Sequence, residues 1–272
     1  MNTCQKFLST SVLALFASAA FAQAPNLDDA LGFAVLGGKA VTCTGGVIAG
    51  DVGVSPGTAF TNTGCTITGA TPPATNRAAA RAQADLAVAY NSIRNGNCTD
   101  LTMDNTGSNP DRNLRTLSGV TLAPGTYCIN DEAKTGLLTL NGPANGIWIF
   151  KVILSAAGDL TGTNFTVSMM GGGQACNVFW APATAATMTT SALKGNILAG
   201  NATVGSITTT GGSVAGSVLA AVAVEMTGTS VIGCDTLSPD QSCKRKGHKS
   251  GKSDKSGKSD KSYKSHRSPW SN

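Results

Sequence analysis

Apolar and polar residues follow two different periods along this chain. From Phe33 to Val54 the apolar positions come in short patches (Phe33-Ala34-Val35-Leu36, Val47-Ile48, Val52-Gly53-Val54) parted by Gly and Thr. That pattern predicts brief strands between tight turns. From Asn76 to Arg94 there is neither Gly nor Pro, and Ala79, Ala82, Leu86, Ala89, Tyr90 and Ile93 recur at three- and four-residue steps. One apolar stripe of this kind predicts a helix over 76–94, about 28 Å long. Thr75 or Asn76 is the expected N-cap, Arg81 and Asp85 the expected i,i+4 pair, and Gly96 the stop. Residues 97–116 are polar and read as a cap loop. After them only short apolar runs return, broken by Gly, Asn and Thr, as far as Cys234.

The strand-like segments repeat. Residues 44–54 (TGGVIAGDVGV) and 210–220 (TGGSVAGSVLA) agree at six positions, and Leu193 to Ala199 echoes the second half. Units of irregular period, roughly 17 to 21 residues, suggest rungs of a β-solenoid. With rungs stacked about 4.8 Å apart, a helix of about 28 Å would lie along roughly six of them.

Composition narrows the chemistry. Between Gln23 and Cys234 there are 30 Thr and 30 Gly, against 9 Lys/Arg and 11 Asp/Glu. Both histidines, His248 and His266, lie outside that stretch, which removes the commonest general base and metal ligand. The stretch has a net charge of 9 − 11 = −2, whereas residues 235–272 carry 10 − 4 = +6. The basic character therefore belongs to the tail, and the domain has no electrostatic case for nucleic acid.

Residues 1–22 read as a secretory signal peptide: Lys6, an apolar run from Leu8 to Phe16, and Ala20-Phe21-Ala22 as the cleavage site. A secreted domain at 23–238 is expected, followed by a disordered Lys/Ser-rich tail at 239–272, where GKSDKS occurs twice in succession from Gly251. The tail is either a solvated appendage or an electrostatic tether to an anionic extracellular matrix or cell surface. In an oxidising compartment Cys43 with Cys65, Cys98 with Cys128, and Cys234 with Cys243 are candidate disulfides. Cys176 is left as a buried free thiol. No spacing fits a metal knuckle, and no cofactor is expected.

Two enzymatic readings can be weighed. Gly53-Val54-Ser55-Pro56-Gly57 matches the serine-hydrolase elbow, but Pro56 lacks the N–H that an oxyanion hole needs. Solenoid polysaccharide lyases and glycosidases need clustered carboxylates, and here only Asp28-Asp29 and Asp131-Glu132 are adjacent.

Seven segments, in order, resemble one family. They are FAVLGG at 33–38, GDVGVSPG at 50–57, ADLAVAY at 84–90, LAPGTY at 122–127, WIF at 148–150, QACNVFW at 174–180 and GNILA at 195–199. The chain is similar over Leu31 to Ile232 to microbial secreted ice-binding proteins. The resemblance implies a mainly β fold: a right-handed, discontinuous β-solenoid with a single long α-helix packed alongside, and N-terminal rungs stacked on C-terminal ones. It also implies a non-catalytic, monomeric protein whose partner is the ice crystal surface. A solenoid adhesin or matrix-binding protein is the alternative.

Ice is ordered water, so a surface that meets it should offer groups that join a water network without holding a hydration shell of their own. Thr supplies a hydroxyl and a methyl on a stiff rotamer. The family's Thr-Gly/Ala-x-Thr/Asn pattern fits at Thr161-Gly-Thr-Asn164, and Thr-Gly pairs number eight where composition alone gives about four. Thr189, Thr210 and Thr227 each stand four residues before a matching step (Leu193, Val214, Val231), which predicts one file of hydroxyls. Thr161, Thr163, Thr208 and Thr229 are expected in adjacent files on the same side.

Overall fold

The computed structural model describes residues 22–101, 112–153 and 158–237. The predicted signal peptide up to residue 21, the tail at 239–272 and Cys243 lie outside the described residues. So does half of the predicted cap loop (102–111), whose ends form a short strand, Thr99–Asp100, and a short helix, Arg112–Thr116.

The protein is mainly β, and every pairing recorded between its strands is parallel. The strands stack in curled sheets, tier upon tier. One column of eight runs in the order Asp51–Val54, Phe33–Gly37, Val218–Ala220, Asn196–Ala199, Val178–Ala181, Trp148–Val152, Gly125–Ile129, Thr99–Asp100. The two N-terminal tiers therefore rest on the C-terminal end of the domain, with Val35 opposite Val218 and Thr44 opposite Thr227. This explains why residues 44–54 resemble 210–220, although some 160 residues part them: they occupy equivalent places in one stack, with a single layer between them.

A second column comprises Ala59–Thr63, Ala40–Thr44, Ala223–Thr227, Ile207–Thr210, Ala186–Thr189 and the first half of the long strand Leu160–Met170. That strand bends, and its second half pairs with Ala192–Lys194 on one side and Lys134–Asn141 on the other, opening a third column. At the bend between second and third columns the same backbone device recurs: Gly64, Gly45, Gly228, Gly211, Thr190 and Asn164 all have φ between 48° and 77°. Each directly follows a threonine. Much of the Thr-Gly excess is thus architectural, since glycine takes the left-handed conformation at no steric cost.

Side chains from the three columns meet inside. Tyr127, Phe150 and Trp180 hold equivalent positions on successive strands and stack, with ring centroids 5.7 and 4.1 Å apart. Lys134 is fully buried, and its ammonium donates to the carbonyls of Arg115, Asn130 and Glu132 and to Asn130 Oδ1. Burial lowers it to about 8, against the opposing charges of Glu132 and Asp131.

The predicted helix runs Asn76–Asn95, and its buried residues are the six of the apolar stripe, Ala79, Ala82, Leu86, Ala89, Tyr90 and Ile93. It lies along the outer side of the first column, from Asp51–Val54 to Trp148–Val152, six strands along the stack. There it covers Phe33, Leu36, Leu219, Leu198, Phe179 and Ile149, which form a second apolar cluster with it. Close approach sets the sequence at Gly53, where a Cβ would come within 2.6 Å of the Phe33 ring and 3.0 Å of Ala79 Cβ. Tyr90 Oη donates to Pro182 O at 2.9 Å, and Arg94 to Val152 O at 2.7 Å.

Three local expectations are corrected. Arg81 pairs with Asp29 at 2.5 Å rather than with Asp85, because the turn Asp28–Gly32 packs on the helix and Asp85 accepts the Asp29 N–H. Thr75 sits at the N-cap, but its hydroxyl donates to Val52 O on the sheet instead of capping the helix. Cysteine pairing also differs in part: Cys43–Cys65 and Cys98–Cys128 are joined as expected, but Cys176 is joined to Cys234, with Cα atoms 5.7 Å apart. Cys176 is therefore no free thiol and Cys234 does not pair with Cys243. The stacking brings together residues 58 positions apart, a proximity that only the tier order creates.

Candidate functional site

Among the described residues, no helix lies on the outer side of the second column. Along most of its strands the inward positions are apolar (Val41 and Cys43, Val224 and Met226, Ala186 and Met188), with Thr209 and, on the terminal strand, Asn62 as the polar exceptions, and alternation sends the intervening residues outward. Five consecutive pairings run without a register shift. Straight register turns the outward residues into straight files.

One file reads Thr163, Thr189, Thr210, Thr227, Thr44, Thr63. The file beside it reads Thr161, Thr187, Thr208, Glu225, Thr42, Thr61. Eleven of these twelve positions are threonine. Neighbours along a file are about 4.8 Å apart, and the two files are separated by one two-residue strand step, about 6.6 Å. Where the next outward positions are paired they are Ala223, Ala40 and Ala59, so the grid borders on small side chains. Thr44, Thr61, Thr63, Thr163, Thr187, Thr210 and Thr227 are exposed, and Thr42, Thr161, Thr189 and Thr208 are half-buried among their neighbours.

The file of Thr189, Thr210 and Thr227 thus has the register that the repeat predicts, and Thr161 and Thr208 lie in the adjacent file. Thr163 belongs to the first file, not the adjacent one. Thr229 is not on this surface: it is 1% exposed, and its hydroxyl donates to Gly211 O and Thr227 O. The reason is the bend. Thr227 points out, Gly228 takes the left-handed turn, and strict alternation no longer holds for the residue after it.

Sequence reasoning missed Thr42, Thr44, Thr61 and Thr187, whereas Thr63 begins Thr63-Gly-Cys-Thr66, a further match to the family's Thr-Gly-x-Thr pattern. For Thr44 the signal was present, because the alignment of 44–54 with 210–220 sets it opposite Thr210. Thr42 and Thr208 then follow two residues earlier. Thr61 had no such signal, since residues 58–62 align with no later segment.

Outside the grid, the described residues contain no group of three or more His, Cys, Asp or Glu placed to hold a metal ion. Of the adjacent acids Asp131 and Glu132, Glu132 is paired with Arg115 at 3.2 Å. Among the described residues no helix is long and apolar enough to cross a membrane.

Comparison with known proteins agrees with this architecture. The family model described as ice-binding-like matches residues 35–232. An ice-binding protein of Flavobacterium frigoris (strain PS1) is 31% identical over 222 residues, covering 74% of this chain and 73% of its own length. An ice-binding protein of Nostoc sp. (strain HG1) is 34% identical over 176 residues, which span 63% of this chain and 60% of that relative. The crystal structure of an ice-binding protein from the Antarctic ascomycete Antarctomyces psychrotrophicus superposes with a TM-score of 0.65 at 26% identity, covering 78% of this chain and 98% of the other. With most of its length matched by the family model and its parallel tiers shared with a solved relative, the chain belongs to the ice-binding-like family.

Proposed function

We propose that this protein is a secreted, non-catalytic ice-binding protein that adsorbs to ice through the flat threonine grid of its second column. The observation that carries the reading is the register: eleven threonines on twelve positions over six strands, on a surface that no described helix covers. Each threonine presents a hydroxyl for hydrogen bonding with ordered water and a methyl that fills the space between waters, on a β-branched side chain with little rotamer freedom. Rigidity matters because a surface already in its bound geometry loses little entropy on adsorption. The relatives' names, ice-binding proteins all, support the same ligand.

In this reading the stack is a right-handed, discontinuous β-solenoid with one long helix as its flank, the hand being the one that parallel crossovers favour. The working protein is a monomer, freed of residues 1–22 on export, and its basic tail at 239–272 is a tether to anionic matrix or cell surface.

The test is a cold-stage assay of hysteresis, crystal shape and recrystallisation with the wild-type protein and Thr210→Tyr. Wild type is active at micromolar concentration, and the variant loses most activity because a ring at the centre of the file lifts several neighbours off the ice. Its thermal stability stays within about 0.5 kcal/mol of wild type, as for other exposed substitutions. A wild-type protein that binds glycan but leaves ice untouched would identify an adhesin instead. Full activity in folded Thr210→Tyr would show that a different face does the work.

A further inference from the structure

One position of the grid is not threonine. Glu225 lies between Thr208 and Thr42 in the second file, with Ala223 and Thr227 as its outward neighbours along the strand. Val224 and Met226 on either side of it are buried, which fixes the glutamate side chain outward. It is exposed, and among the described residues its carboxylate has neither an ion-pair nor a hydrogen-bond partner. The outward residues on the flanking strands, Thr208 and Thr210 on one side and Ala40, Thr42 and Thr44 on the other, are all uncharged.

The fold gives no reason for a glutamate here. Glutamate is depleted in strands and threonine favoured, and the same backbone environment holds threonine on both flanking strands. What the residue changes is the surface. It divides the grid into a block of six threonines (161, 163, 187, 189, 208, 210) and a block of four (42, 44, 61, 63), linked only through Thr227. A carboxylate holds its own hydration shell, and stripping that shell without a compensating partner is costly. An ice surface brought against the grid must either leave those waters in place, losing contact with the neighbouring threonines, or displace them.

We propose that Glu225 is a residue that limits affinity: its charge holds the two threonine blocks apart and keeps the face weaker than its own architecture allows. This inference rests on the threonine grid being the ice-contact surface. It predicts that Glu225→Thr completes the second file and merges the blocks, and that Glu225→Gln, which keeps the size but removes the charge, recovers most of the gain.

The measurement is the lowest protein concentration that arrests ice recrystallisation, taken on full-length wild type, Glu225→Thr, Glu225→Gln, Thr210→Tyr and the Glu225→Thr/Thr210→Tyr double variant, with thermal melts confirming that each is folded. Glu225→Thr should act at about tenfold lower concentration, the factor that corresponds to about 1.4 kcal/mol. The double variant should be as inactive as Thr210→Tyr alone. If Thr210→Tyr abolishes activity while Glu225→Thr leaves the endpoint unchanged or raises it, the grid is the ice surface and the role given to Glu225 is wrong. A gain with Glu225→Thr but none with Glu225→Gln would also overturn the proposal, because charge would not be the cause. If Thr210→Tyr stays fully active, the assignment of the face fails and the role of Glu225 falls with it.

Discussion

The first and second columns are built from the same stack of tiers, yet their outer sides face opposite fates. On the first, Phe33, Leu36, Leu219, Leu198, Phe179 and Ile149 point outward, and a helix of 20 residues lies over them. On the second, threonine occupies nearly every outward position and no described element lies over it. Parallel sheets usually need cover on both sides. Here the inner side of every column is buried in a shared core, so each outer side is free to be either a protein interface or a solvent face, and side-chain chemistry alone decides which. The difference teaches that the backbone lattice is neutral scaffolding: leucine at a position commits the layer to a protein partner, and threonine at the equivalent position leaves it open to water.

The comparison can be broken at the covered side first. Leu86→Ala removes a fully buried contact between helix and sheet and should cost about 2–5 kcal/mol, read as a fall in the denaturation midpoint. Deleting the Cys176–Cys234 link with a Cys176→Ser/Cys234→Ser pair releases a loop of 58 residues and should cost about 2–4 kcal/mol by the same readout. The same residue type behaves oppositely according to which way it points. Thr209 is 1% exposed with its hydroxyl unpartnered, so Thr209→Val should stabilise the protein by about 1 kcal/mol, whereas its outward neighbours tolerate change with little effect on stability. At the bend, Gly228 has φ 60° and open space where a Cβ would go. Gly228→Ala should therefore lower stability by about 1 kcal/mol through backbone strain alone, read by calorimetry, while recrystallisation inhibition on the cold stage stays at the wild-type level.

How much of this could be read from the sequence depended on how far apart the interacting residues lie. The helix was fully legible, down to its six buried residues, because one stripe of 3.6-residue period is a local pattern. The register of Thr189, Thr210 and Thr227 was legible because three consecutive tiers repeat within about 20 residues of one another. Beyond that range the signal fails. The Cys176–Cys234 pairing depends on which tiers are neighbours, and Arg81 finds Asp29 through a turn 52 residues away. Thr61 and Thr63 join the grid only because the N-terminal tiers dock at the far end of the domain. Thr229 was misplaced because alternation was extended through a left-handed corner that ends it.

That docking has a consequence for how the molecule comes into being. Thr44 pairs with Thr227 across 227 − 44 = 183 residues, and the file from Thr163 to Thr63 is continuous only through that junction. During synthesis the first two tiers emerge early and can pair with each other, but they have no place to dock until Val218–Ile232 has been made. Non-local closure of this kind makes folding slow and places its decisive step last. A chain cut short before Val218 would have no place for its N-terminal strands, and the grid would stop at Thr210. Assembly of the surface is thus a check on the completeness of the domain: only a chain made as far as Ile232 can close the stack.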